Sequence, residues 1–194
     1  MSETLAVLSS MVMIAVIVIY FRQLIKGHST PNPATWFIVV VVMALNTGTY
    51  YFVTQGNLWK IASPTVLTLG LLFVLVYSYI TGKLGKLGVV EWLTLLLCVP
   101  VGIYWRISED AKIANLMMQI ILLVSFVPTV VGLLRGNLRE KATSWMTALL
   151  AYFLLIGSVL SSATWEWMEL AYPLINGIAG NSSVLVALWL KPKE

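Results

Sequence analysis

The chain has 194 residues, of which 59% are hydrophobic and 10% charged. A soluble domain carries about 25% charged residues, and a core of this size cannot hide so much apolar surface, so the composition excludes a soluble domain and places the chain in a lipid bilayer. The net charge of +4 does not point to nucleic acid, because the basic residues stand singly between apolar stretches and form no basic face.

A helix that crosses a bilayer needs about 20 mostly apolar residues. Seven such stretches are predicted, at roughly 4–25, 33–54, 59–81, 88–106, 112–135, 142–163 and 168–190. The first follows Met-Ser-Glu-Thr, without a basic region or a small-residue cleavage site, and reads as a span and not a signal peptide. After it, His28 sits between Gly27 and Ser29 with no Cys or acidic neighbour, so it reads as a solvated loop histidine and not a metal ligand. Pro33 suits the first turn of the second helix, with Asn32 as its N-cap.

The second span carries Asn46, Thr47 and Gly48 near its middle. Polar groups in a membrane helix must find partners or water. Asn46 and Thr47 are therefore candidate solute-binding residues, the alternative being a Gly48-mediated helix contact with Asn46 satisfied locally. Pro64, at the start of the third span, is either a hinge or a fixed kink. The fourth span begins with Glu91, taken as the only acid near a span on its side and suited to a helix N-terminus. It also holds Pro100, read as a kink, and Cys98, the only cysteine, which cannot form an internal disulfide.

In the fifth span Asn115 and Gln119 lie four residues apart and share one helix face. The sixth span opens on Trp145 and carries Gly157; the seventh carries Pro173, Asn176 and Asn181. Trp36, Trp59, Trp105, Trp145, Trp165 and Trp167 fall near span ends, where an aromatic belt is the plain reading. The loops orient the chain. With the N-terminus outside, Arg22, Lys26, Lys83, Lys86, Arg135, Arg139, Lys141, Lys191 and Lys193 fall inside, against Lys60, Arg106 and Lys112 outside.

A shift of 109 residues carries Trp36 onto Trp145, Gly27 onto Gly136, Gly48 onto Gly157, Ala62 onto Ala171 and Pro64 onto Pro173, with no gap. Agreement among Gly, Trp and Pro, which have positional roles, signals an internal repeat. Each copy is three helices, spans one to three and five to seven. The fourth span reverses the chain between them, so the copies run parallel.

Two segments add a resemblance to this topology. Val127-Pro128-Thr129, followed by Leu134-Arg135-Gly136 and a polar turn into Ser144-Trp145, resembles the motif of the PQ-loop and SWEET superfamily, where a proline precedes a basic turn. Tyr172-Pro173-Leu174-Ile175-Asn176-Gly177 resembles the SWEET segment whose asparagine faces the central substrate cavity. The resemblance implies an all-α integral membrane fold: seven transmembrane helices in two parallel triple-helix bundles, 1–82 and 111–194, joined by a linker helix at 83–110. It implies Asn176 as a substrate contact and Pro128 as a gating proline. The first copy has Ile19 and Leu67 at those two places, so the resemblance carries the fold further than it carries sugar specificity.

No Asp, Glu, Lys or Arg sits near the middle of any span, whereas ion-driven carriers need such groups. With a single histidine and no phosphate-binding loop or metal-ligand spacing, nothing supports an enzyme, a cofactor or a metal site. The expectation is a facilitative transporter of a small neutral solute working by alternating access, in a bacterial inner membrane with its C-terminus cytoplasmic. Substrate contacts are expected at Asn176, Asn46 and Thr47, and gating or hinge positions at Pro128, Gly48, Gly157, Pro64 and Pro173. The partners are the bilayer and the solute, with a homo-oligomer or a larger membrane complex both compatible. The alternatives are a non-transporting subunit of a larger membrane complex and a PQ-loop-type receptor.

Overall fold

The computed structural model describes residues 1–30, 33–81 and 89–191. The expected cap Asn32 and the basic residues Lys83, Lys86 and Lys193 lie outside the described residues, as do the side chains of Glu91 and Cys98. The described chain is helical: α1 (Ser2–Ile25), α2 (Pro33–Val53), α3 (Leu58–Ile80), α4 (Val89–Ser108), α5 (Ala111–Ser125), α6 (Val127–Leu134) and α7 (Ala142–Leu160). A last segment follows, made of a 3-10 turn (Trp167–Leu170), a π-helical stretch (Tyr172–Gly180) and α8 (Asn181–Leu190).

Among the described residues, six segments are long and apolar enough to cross a membrane: Ser2–Ile25, Trp36–Val53, Leu58–Ile80, Ala111–Leu134, Ala142–Leu160 and Trp167–Leu190. The chain is thus built as an integral membrane protein. Its outer faces agree, with Leu69, Phe73, Leu96, Phe153 and Val186 all more than half exposed, as side chains meeting lipid should be.

Local chemistry sets the helix ends. The Asn57 side chain accepts hydrogen bonds from the backbone N–H groups of Trp59 and Lys60 at the start of α3, and Asp110 does the same for Lys112 and Ile113 at the start of α5. α5 and α6 form one crossing segment broken at Phe126, because Pro128 in the first turn of α6 has no N–H to donate back into α5.

The six segments close into a ring. α1 packs on α3 and α7, α2 packs on α3 and α5, and the last segment packs between α5 and α7. α4 lies outside this ring, against α5 and α2. Met13, Val42, Met43, Tyr50, Met118, Leu122, Ala151, Leu155, Tyr152 and Tyr172 form the buried centre.

The 109-residue offset reappears in the backbone. α1 spans 2–25 and its shifted counterpart, α5 with α6, spans 111–134; α2 starts at 33 and α7 at 142; α3 starts at 58 and the last segment at 167. The turn after α1 bonds Lys26 N–H to Arg22 O, Gly27 to Leu24, and both His28 and Ser29 to Gln23. The turn after α6 bonds Arg135 to Val131, Gly136 to Leu133, and both Asn137 and Leu138 to Gly132, which is the same set shifted by 109. Gly27 and Gly136 hold φ of +67° and +70° there, a conformation that favours glycine because it has no side chain to clash. The two turns also meet: Thr30 N–H donates to Arg139 O at 2.9 Å and Arg139 N–H donates to Thr30 Oγ1 at 3.0 Å, between equivalent positions.

Candidate functional site: a central cavity

A cavity of about 140 Å³ lies inside the ring. It runs from mid-bundle, at Leu67, Tyr152 and Asn176, toward the end of the bundle that carries the two equivalent turns, at Trp36, Glu140 and Trp145. That end is the basic end of the bundle, where Arg22, Lys26, Arg135, Arg139 and Lys141 lie. All six ring segments contribute walls, with Met13 and Tyr20 from α1, Met43 from α2, Gly70 from α3, and Ser125, Phe126 and Thr129 around the α5–α6 break.

Asn176 sits on the cavity wall, in the middle of the π-helical stretch. π geometry is rare and recurs at functional sites, since the wider turn re-aims one side chain. Asn176 Nδ2 donates to Tyr152 Oη at 3.3 Å, and its Oδ1 takes no hydrogen bond from the described residues. Asn181 Nδ2 donates to the Gly177 carbonyl at 2.6 Å and so fills a gap in the backbone ladder. The stretch can press against α7 only because residue 177 is glycine; a methyl there would overlap the Tyr152 ring.

Tyr152 on the cavity wall, with Tyr50 and Tyr172 beyond it, closes the bundle toward the other end. The Tyr50 and Tyr172 ring centroids are 5.2 Å apart, those of Tyr152 and Tyr172 5.6 Å, and the Tyr152 and Tyr172 hydroxyls lie 3.2 Å from each other. Tyr50 Oη donates to the Glu169 carbonyl at 2.9 Å. Above them Lys60 and Glu169 form an ion pair with side chains 4% and 2% exposed. The offset of 109 makes these two the same position of the two copies, carrying opposite charges.

At the basic end Glu140 ties elements together. Its Oε1 accepts from Tyr20 Oη at 3.1 Å, and its Oε2 accepts from Ser29 Oγ at 3.0 Å and Trp145 Nε1 at 3.3 Å. Burial pushes this carboxyl up to about 7, against the lowering effect of those three donors. Gln23 adds a second link, donating to Thr143 Oγ1 at 2.6 Å and accepting from Ser144 Oγ at 3.2 Å.

The other expected site residues lie elsewhere. Asn46 is fully buried between α2 and α5, where its Oδ1 accepts from Asn115 Nδ2 at 3.0 Å and from Gln119 Nε2. Thr47 pairs with Thr68 across α2 and α3 at 3.0 Å. Neither lines the cavity, so the structure does not bring them to Asn176. The physical reason is that Asn46, Asn115 and Gln119 bond one another at the α2–α5 interface and so point away from the central space, although Asn46 Nδ2 and Gln119 Oε1 find no partner among the described residues. Gly48 faces the Trp105 ring of α4 and Gly157 faces Leu5 of α1, both at ordinary contact distance. Pro64 and Pro173 are buried in the third segments of the two copies, and Pro128 is partly buried at the α5–α6 break.

Sequence reasoning missed three features. Trp36 and Trp145 line the cavity together and do not merely mark the membrane surface; their match across the repeat was the signal. Glu140 corrects the reading of Glu91 as the only acid near a span on that side: it stands two residues before α7 and is 7% exposed. The Lys60–Glu169 pair was visible as opposite charges at equivalent places. Among the described residues, no group of His, Cys, Asp and Glu is arranged to hold a metal ion.

No family model, curated protein or solved structure matches this chain.

Proposed function

We propose that the chain is a facilitative transporter of a small solute, built on a SWEET-like plan of two triple-helix units, 1–82 and 111–194, with 83–110 as the linker. Counting α4 as a seventh crossing helix makes the units parallel. The packing supports this reading: α1–α3–α2 and α5–last segment–α7 have the same order, with the third member central, and the contacts α1 with α7 and α5 with α2 exchange under one twofold axis.

One observation carries the functional reading. The cavity lies between the two units, and each end of it is fastened by a contact between equivalent residues of the two units: Lys60 with Glu169 at one end and Thr30 with Arg139 at the other. Rocking of the units about the cavity would open either fastening while the other holds, which is the geometry of alternating access. The α5–α6 break at Phe126 and Pro128 offers a place to bend. In this reading Asn176 contacts the solute and Leu67, its equivalent, forms the opposite wall. The basic end is cytoplasmic by the excess of Lys and Arg there.

The test is Asn176→Leu in proteoliposomes. A solute contact predicts lost uptake with a melting temperature close to wild type, because Leu67 shows that leucine suits the place. A structural amide predicts normal flux per folded molecule and lower stability, by about 0.6 to 1.7 kcal/mol. If wild-type protein moves no solute at all, the non-transporting subunit becomes the better reading.

A further inference from the structure

The chemistry of the cavity wall narrows the ligand, given the reading of the cavity as a solute site. Glu140 is the only Asp, Glu, Lys or Arg among the described residues that line it. Among the described residues no Lys or Arg lies in ion-pair range of it; the two ion pairs are Lys60–Glu169 and Lys112–Glu166. A buried carboxylate without a cation is costly, and hydrogen bonds from neutral donors offset only part of that cost. Its three donors occupy three of the roughly four lone-pair sites that a carboxylate offers. One acceptor site on Oε1 remains.

The surrounding walls are aromatic. Trp36 packs against Tyr20 with centroids 4.9 Å apart and ring planes tilted by 32°, and Trp145 meets Phe126 at 6.2 Å. Each copy thus supplies one tryptophan-led aromatic wall to the same cavity. A cation within about 6 Å of such a ring face is attracted by the negative face of the ring, more strongly when water is excluded. Farther in, Asn176 Oδ1 offers a second unused acceptor. The size also fits: a cavity of about 150 Å³ holds a benzene-sized molecule, and this one is about 140 Å³.

We propose that the cavity takes a small organic cation, an amine or quaternary ammonium of about that size, with its charge held by Glu140 and the faces of Trp36 and Trp145. The sequence pointed to a neutral solute because no charge lies at mid-span. Glu140 escapes that argument because it enters the cavity from the turn before α7. Ligand charge and proton then compete for one carboxylate. Tyr20 on α1 is the other titratable group in contact with it; Arg139, Lys141 and His28 belong to the same turns and are exposed.

The experiment is calorimetric titration of the full chain in nanodiscs with choline and with benzylamine, each against its uncharged isostere, 3,3-dimethylbutanol and benzyl alcohol. The cations should bind at least tenfold more tightly than their isosteres. Glu140→Gln should remove that preference and Glu140→Asp retain some of it. Choline, whose charge is permanent, should bind roughly 30-fold more weakly at pH 5.5 than at pH 8, as the carboxylate gains its proton. His28→Asn should leave that pH dependence in place.

Equal binding of cation and isostere, or an undiminished preference in a folded Glu140→Gln, overturns the proposal. If Glu140→Gln does not fold, the wild-type comparison and the choline pH series still decide. Flux in liposomes separates this inference from the transporter reading. Choline flux above that of protein-free liposomes that a folded Glu140→Gln leaves unchanged overturns the cation site alone. Tight choline binding without any flux supports the cation site and counts against transport.

Discussion

Removing either partner of the Lys60–Glu169 pair gives the sharpest test of how this bundle closes. The two side chains are 4% and 2% exposed, so neither can turn to water when the other is lost. Breaking a buried pair this way costs about 3–5 kcal/mol, because the survivor remains charged and unpartnered. Lys60→Met and Glu169→Gln should each lose that amount, which for a chain of this size is roughly 6–20 °C in melting temperature. The double variant Lys60→Met/Glu169→Leu leaves no orphan charge and should recover to wild-type stability or exceed it, by up to about 4 kcal/mol. Urea or thermal unfolding in detergent gives the four corners of the cycle. A functional readout runs beside it: without the pair, a cysteine at Asn176 should react faster with a polar maleimide added from the side of the Glu166 turn. Single variants within about 1 kcal/mol of wild type, or simply additive losses, would show that the pair is hydrated and fastens nothing.

Three further outcomes are expected. Glu140 has its carboxyl raised by burial from 4.5 to about 7, so the folded state binds the proton more tightly than the unfolded one. The stability it supports is therefore full below about pH 4.5 and declines to a plateau above about 7, by at most about 3 kcal/mol. Unfolding measured across pH 4 to 8 should show that decline, and Glu140→Gln should flatten it. Gly177→Ala places a methyl in the Tyr152 ring, and should cost about 1–3 kcal/mol and lower binding to the cavity; wild-type stability would mean that the π-helical stretch is not pressed on α7. In a Cys98→Ser background, cysteines at Asn137 and Thr164 should label from opposite sides of the membrane; labelling from one side refutes the crossing pattern.

Much of the fold was legible because a bilayer imposes simple rules. A run of about 20 apolar residues must be helical, since lipid offers no partner to a free backbone amide. The helix boundaries therefore followed the polar interruptions closely: the span read at 112–135 is a segment at 111–134, and 142–163 begins α7 at Ala142. The repeat was legible for a similar reason. Gly27 and Gly136 hold a conformation that side chains resist, so the same turn retained the same residue twice.

The site was less legible. Mid-span position predicts where along the membrane normal a residue lies, but not which way round its helix it points. Asn46 and Asn176 are both mid-span amides; one bonds Asn115 and Gln119 at the α2–α5 interface, and the other borders the cavity. That difference depends on helix rotation, which is set by packing such as Gly177 on Tyr152. The sequence alone determined that this chain forms apolar helices long enough to cross a membrane and that Gly, Trp and Pro recur at an offset of 109 residues. Only the tertiary structure decided which polar groups share the central space, because ring closure brings Glu140, Trp36 and Asn176, far apart in the chain, to one cavity.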